Sequence, residues 1–169
     1  MLLPLVAMQF TDEVIWDETD FAVIGAMLLG ACGTYELAAR AEGNVAYRGA
    51  VGVATVAAFI LIWINLAVGI IGSEDDPANL MYGGVLAVGI LGALITRFQP
   101  YGMACAMAAT ALAQALVGAT ALIAGLGSTG ANWPWVIVVL TGFFATLWLV
   151  AAWLFHKAAR ERTSVGAAP

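Results

Sequence analysis

Charge is what this chain has least of. Asp, Glu, Lys and Arg together make up 10% of its 169 residues, where a soluble domain carries about a quarter. It has one histidine and two cysteines. These shortages remove whole classes of chemistry. Cys32 and Cys105 lie far apart in apolar runs without CxxC spacing, so a disulfide framework and a zinc site both lack partners. The thiols are expected to be buried as small hydrophobes. His156 sits beside Lys157 as an interfacial residue, and a single histidine cannot supply paired haem ligands; Met103 and Met107 belong to a different run. HExxH, GxSxG, Walker A and paired-carboxylate spacings do not occur. The sequence therefore assigns no catalytic residue, no metal and no cofactor, and no nucleic acid is expected as a partner.

Hydrophobicity fills the space that charge leaves. Residues of the apolar set make up 63% of the chain and the mean hydropathy is +0.95, the composition of a protein whose outer surface faces hydrocarbon. Runs long enough to cross a bilayer extend over 21–39, 49–72, 77–96, 101–125 and 133–155. Short connections separate them: Arg40 to Arg48, Ser73 to Asp76, Arg97 to Pro100, and Gly125 to Asn132. Short loops make antiparallel neighbours, so the expected fold is all-α, an integral membrane up-and-down bundle of five transmembrane helices. The domain plan is an acidic segment 1–20, a membrane domain 21–156, and a basic, then flexible tail 157–169. The opening MLLPLVAMQF lacks a basic n-region and a small-residue cleavage site, and is read as retained. Met8 is an alternative start, which would make residues 1–7 incidental.

The two signs of charge are segregated. With five spans, Arg40, Arg48, Arg97, Lys157, Arg160 and Arg162 all fall on one side, and Asp12, Glu13, Asp17, Glu18, Asp20, Glu74, Asp75 and Asp76 on the other. The positive-inside rule then places the N-terminus outside and the C-terminus in the cytoplasm. Asp76 before Pro77 reads as an N-cap with proline in the first turn, and Pro100 breaks the chain between spans three and four. Trp16, Tyr82, Trp133 and Trp135 at one interface, and Tyr35, Tyr47, Tyr101 and Trp153 at the other, read as aromatic belts. A weak repeat pairs Ala54-Thr55 and Ile71-Gly72-Ser73 with Ala109-Thr110 and Leu126-Gly127-Ser128 at constant offset. It makes spans two and three a hairpin duplicated as spans four and five, unless small apolar residues match by chance.

Polar groups inside a bilayer are costly and become functional candidates. Glu36 is the one carboxylate within a span, and Arg40 follows at the favourable four-residue spacing, so Glu36 reads either as half of an interfacial ion pair or as a proton or cation site. Asn65 and Gln114 enter at depths about 5 Å apart, as interhelical glue or as substrate contacts. Glu74, Asp75 and Asp76 offer hard oxygens to a cation without EF-hand spacing, or form a solvated acidic face. Small-xxx-small pairs occur at Ala26/Gly30, Gly83/Ala87, Gly89/Ala93, Ala104/Ala108 and Ala109/Ala113, and favour close helix packing within the chain or between copies.

The segment Trp63 to Tyr101, and within it NLAVGIIGSEDDPANLMY, resembles an uncharacterised family of small bacterial polytopic inner-membrane proteins. That resemblance implies a bacterial cytoplasmic membrane and no activity. Tryptophan-rich sensory proteins that bind porphyrins carry a WxPP-type loop after their first helix; here Trp133-Pro134-Trp135 precedes the last run, and that family is set aside. The expectation is thus a small non-enzymatic bacterial inner-membrane protein that self-associates or serves as an accessory subunit, its partners being the lipid bilayer and a second copy or membrane complex. The alternative is a small transporter or channel with a polar path through Glu36, Asn65 and Gln114.

Overall fold

The computed structural model describes residues 18–41, 44–130 and 132–166, with the backbone alone at 18–20, 37–41 and 165–166. Five α-helices account for most of them: α1 Glu18–Ala41, α2 Val45–Ala67, α3 Met81–Ile95, α4 Pro100–Ile123 and α5 Trp135–Gly166, with a 3-10 turn, Pro77–Leu80, leading into α3. Among the described residues there is no strand. Among the described residues, four helical segments are long and apolar enough to cross a membrane: α2, α3 with its leading turn, α4 and α5. The described apolar stretch of the fifth, Phe21–Glu36 in α1, is shorter.

Two helices differ from the expected spans for identifiable reasons. The second helix covers Val45–Ala67 rather than 49–72. It starts early because the Asn44 side chain accepts a hydrogen bond from the Tyr47 amide, and it stops early because Gly69 and Gly72 take positive φ. The last helix runs on to Gly166 through the basic segment, so most of the expected flexible tail is helical. Pro100 opens α4, and the Asp76 carboxylate accepts from the Ala78 amide with Pro77 behind it, as the sequence pattern predicts.

The helices do not all pack beside their sequence neighbours. α1 lies on α2, α2 on α5, α5 on α4, and α4 on α3. The α4–α5 hairpin is therefore wedged between α2 and α3, which the short-loop argument had made neighbours. Val68 to Asp76 bridges the gap across the tip of that hairpin, where Gly127 meets Gly72. The row is curved enough for Tyr82 of α3 to face Thr141 of α5 past α4. The duplicated-hairpin reading fails at this level: α4 packs on α5, whereas α2 and α3 stand apart.

Charge segregation survives in three dimensions. The Tyr47 hydroxyl donates to the Phe98 carbonyl at 2.9 Å, and Asn44 Nδ2 donates to Glu161 Oε2 at 2.8 Å. These bonds gather the start of α2, the α3–α4 turn and the end of α5, and with them Arg48, Arg97, Lys157 and Arg160, at one end. Glu74, Asp75 and Asp76 lie at the other, on the loop that crosses the α4–α5 tip.

Small residues set the closest helix approaches. A Cβ on Gly92 would come within 2.6 Å of the Ala106 Cβ, one on Gly89 within 3.2 Å of Thr110 Oγ1, and one on Gly118 would overlap the Thr141 side chain. Gly89 and Ala93 are buried, so this small pair serves packing within the chain. Gly83, Ala87, Ala26 and Gly30 are exposed. Tyr82 and Tyr47 are core residues rather than belt residues, while Trp135, Tyr101 and Trp153 are exposed and fit the belts. Both cysteines are free and exposed, not buried as expected.

Candidate functional site

In hydrocarbon an unpaired polar atom has no water to turn to, so the polar side chains within the helices locate the candidate site. The sequence candidates do not converge. Glu36 is exposed on α1, at the edge of the row, and the side chain of its expected partner Arg40 lies outside the described residues. Asn65 is half-buried on α2 and donates from Nδ2 to the Leu61 carbonyl of its own helix at 2.8 Å. Its Oδ1 is buried without a partner. Gln114 is fully buried on α4, and neither its Nε2 nor its Oε1 has a hydrogen-bond partner. No hydrogen bond joins Asn65 to Gln114. Similar depth proved insufficient because α2 and α4 are separated by α5.

Gln114 instead belongs to a seam between α3, α4 and α5. Four residues along α4 is Gly118, whose missing side chain admits Thr141 of α5. The Thr141 hydroxyl is buried and faces the Tyr82 hydroxyl of α3, yet neither oxygen reaches full hydrogen-bond geometry. Trp148, two turns beyond Thr141 on α5, is buried with its indole N–H unpartnered. Thr110, one turn from Gln114, is buried but satisfied, donating to the Ala106 carbonyl at 2.9 Å. The seam thus holds the Gln114 amide and the Thr141 and Tyr82 hydroxyls with unused donors and acceptors. Each group left so costs about 1–3 kcal/mol. Unused amide and hydroxyl groups of this kind can exchange hydrogen bonds with a small polar species.

The acidic loop is built for structure. Asn79, which the sequence reading did not single out, is its centre: Oδ1 accepts from the Ile70 and Ile71 amides at 3.0 and 2.9 Å, and Nδ2 donates to the Ile71 and Ser73 carbonyls at 3.1 and 2.6 Å. Asp76 is committed to its cap, while Glu74 and Asp75 are exposed. Among the described residues no three His, Cys, Asp or Glu side chains are grouped to hold a metal ion. The signal for Asn79 was its place just after Asp-Asp-Pro-Ala, where an asparagine can turn back on a glycine-rich loop.

No protein-family model, curated protein or solved structure matches the chain.

Proposed function

We propose that this is a non-catalytic membrane protein that works by lateral assembly, with a second copy as its first partner, in a bacterial cytoplasmic membrane. The observation that carries the reading is the outer face of α3. The main helix contact of α3 is with α4, and Cβ atoms built on Gly83 and Gly84 would meet nothing within 4 Å, with exposed Ala87 one turn on. In lipid, close backbone approach is what drives helix association, and α3 spends its Gly89/Gly92 face inside the chain while keeping this second small face outward. The clustering of Arg48, Arg97, Lys157 and Arg160 at one end supports an orientation with that end in the cytoplasm, and α1 as a fifth, shorter crossing that puts the N-terminus outside. The test is single-molecule photobleaching of labelled protein in nanodiscs made from native lipid. The reading expects a defined oligomer in the wild type that Gly83→Leu with Ala87→Leu converts to monomer. A wild-type monomer would sink it.

A second reading, solute passage, is favoured by one observation: the fully buried, unpartnered amide of Gln114, one helical turn from the contact of Gly118 with Thr141. The route then runs through the α3–α4–α5 seam, with Glu36 and Asn65 outside it. If passage is the function, Gln114→Leu slows water or proton flux into reconstituted vesicles without changing the folded fraction. Equal fluxes in both proteins remove Gln114 from any path.

A further inference from the structure

The end of α5 reaches well beyond the hydrocarbon. Trp135 and Trp153 are both exposed, and the interval between them spans about 27 Å at the rise of an α-helix, close to the thickness of the bilayer core. Residues from His156 onward therefore stand at headgroup level when Trp135 marks the opposite interface. There an open cleft of about 270 Å³ is lined by Trp153, His156, Lys157, Arg160 and Glu161.

The charges of this cleft are unevenly committed. Glu161 accepts from Asn44 at 2.8 Å and lies 4.0 Å from Lys157. Lys157 Nζ also stands 5.9 Å from the centre of the Trp153 ring. Arg160 is exposed and, among the described residues, makes no ion pair. Below the cleft, exposed Leu149 continues the Trp153 stripe one turn toward the membrane interior. Apolar surface thus rises along one face of α5 into an indole and then into an ammonium and a guanidinium.

We infer that this cleft is a binding site for an anionic phospholipid, its phosphate held by Lys157 and Arg160 and an acyl chain lying along Trp153 and Leu149. The guanidinium fork suits a phosphate, which it can engage through two parallel N–H donors. The indole marks the boundary where headgroup meets chain. Asn44 engages one Glu161 oxygen, Oε2, at 2.8 Å, while the other, Oε1, stands 4.0 Å from Lys157, which leaves Arg160 without an ion pair among the described residues. The site does not depend on oligomer formation or on the Gln114 seam.

The test uses full-length protein in nanodiscs of equal parts phosphatidylcholine and phosphatidylglycerol, ejected for native mass spectrometry so that retained lipids are identified by mass. The wild type is expected to retain phosphatidylglycerol above its bulk share. Arg160→Gln lowers the retained phosphatidylglycerol-to-phosphatidylcholine ratio by roughly fivefold, the effect of about one basic contact. Arg97→Asn removes one charge at the same end, outside the cleft, and leaves the ratio unchanged. Equal loss in the two variants, or no enrichment in the wild type, reduces the effect to diffuse surface potential and overturns the site. Displacement of the lipid by millimolar inorganic phosphate would overturn the lipid assignment in favour of a free anion.

Discussion

Gly127, at the tip of the α4–α5 hairpin, lies directly against Gly72 of the loop that crosses it: a Cβ on Gly127 would stand 2.5 Å from the Gly72 nitrogen. Both residues have left-handed φ, +70° and +71°. This contact lets the α2–α3 connection pass over the hairpin wedged between those helices.

Gly125 separates the two requirements at that crossing, because it shares the positive φ (+65°) while a Cβ there would meet nothing within 4 Å. Gly125→Ala should cost only the left-handed penalty of roughly 1 kcal/mol. Gly127→Ala adds overlap with backbone and should cost at least about 2 kcal/mol more. The check is reversible unfolding in mixed micelles by detergent titration. Equal losses at the two positions would show that the crossing is looser than described.

Asn79 ties the same loop to the start of α3. Replacing it by leucine strands the Ile70 and Ile71 amides, which are buried, and should destabilise the protein by about 3 kcal/mol or more. Asn79→Asp keeps an acceptor for those amides but sets a carboxylate against the Ile71 and Ser73 carbonyls, so it should rescue little. Hydrogen exchange at Ile70 and Ile71 reports the effect directly: both amides are protected in the wild type, exchange fast in Asn79→Leu, and fall between the two in Asn79→Asp.

These residues mark where sequence reading reached and where it stopped. Asp76-Pro77 was legible because a cap is settled by its immediate neighbours. Asn79 was not, because its partners lie in a loop whose path depends on a hairpin arriving later in the chain. The helices were legible from apolar length, and the α2–α3 separation was not, since loop length bounds reach without choosing a neighbour. Tyr82 and Tyr47 sit at belt depth yet turn inward, and Asn65 and Gln114 share a depth without sharing an interface. Depth follows from position along a helix; the direction a side chain faces follows from the packing order.

Gly118 and Thr141 make the tightest approach in the seam, since any Cβ on Gly118 would overlap the threonine side chain. Gly118→Ala should cost about 1–3 kcal/mol. Thr141→Ala removes the γ atoms, and its hydroxyl has no firm partner to lose, so alone it should cost little. Combined, the two should cost less than their sum by about 1 kcal/mol, the signature of residues in direct contact. Strict additivity would mean that α4 and α5 approach elsewhere.

Gln114 supplies the sharpest test of what the seam is for. With no protein partner for either amide atom, Gln114→Leu keeps the volume and removes two unmet demands, so on packing alone it should be neutral or stabilise by about 1 kcal/mol. An amide that instead holds water or a neutral solute would lose that partner, and the same substitution would destabilise by about 1–3 kcal/mol. Detergent-titration unfolding of Gln114→Leu beside Gln114→Ala separates the cases. If both variants lose stability, and alanine only a little more than leucine, the amide itself carries the effect and the seam binds something. If leucine is harmless and alanine alone costs stability, Gln114 fills space, and the case for passage through the seam loses its principal residue.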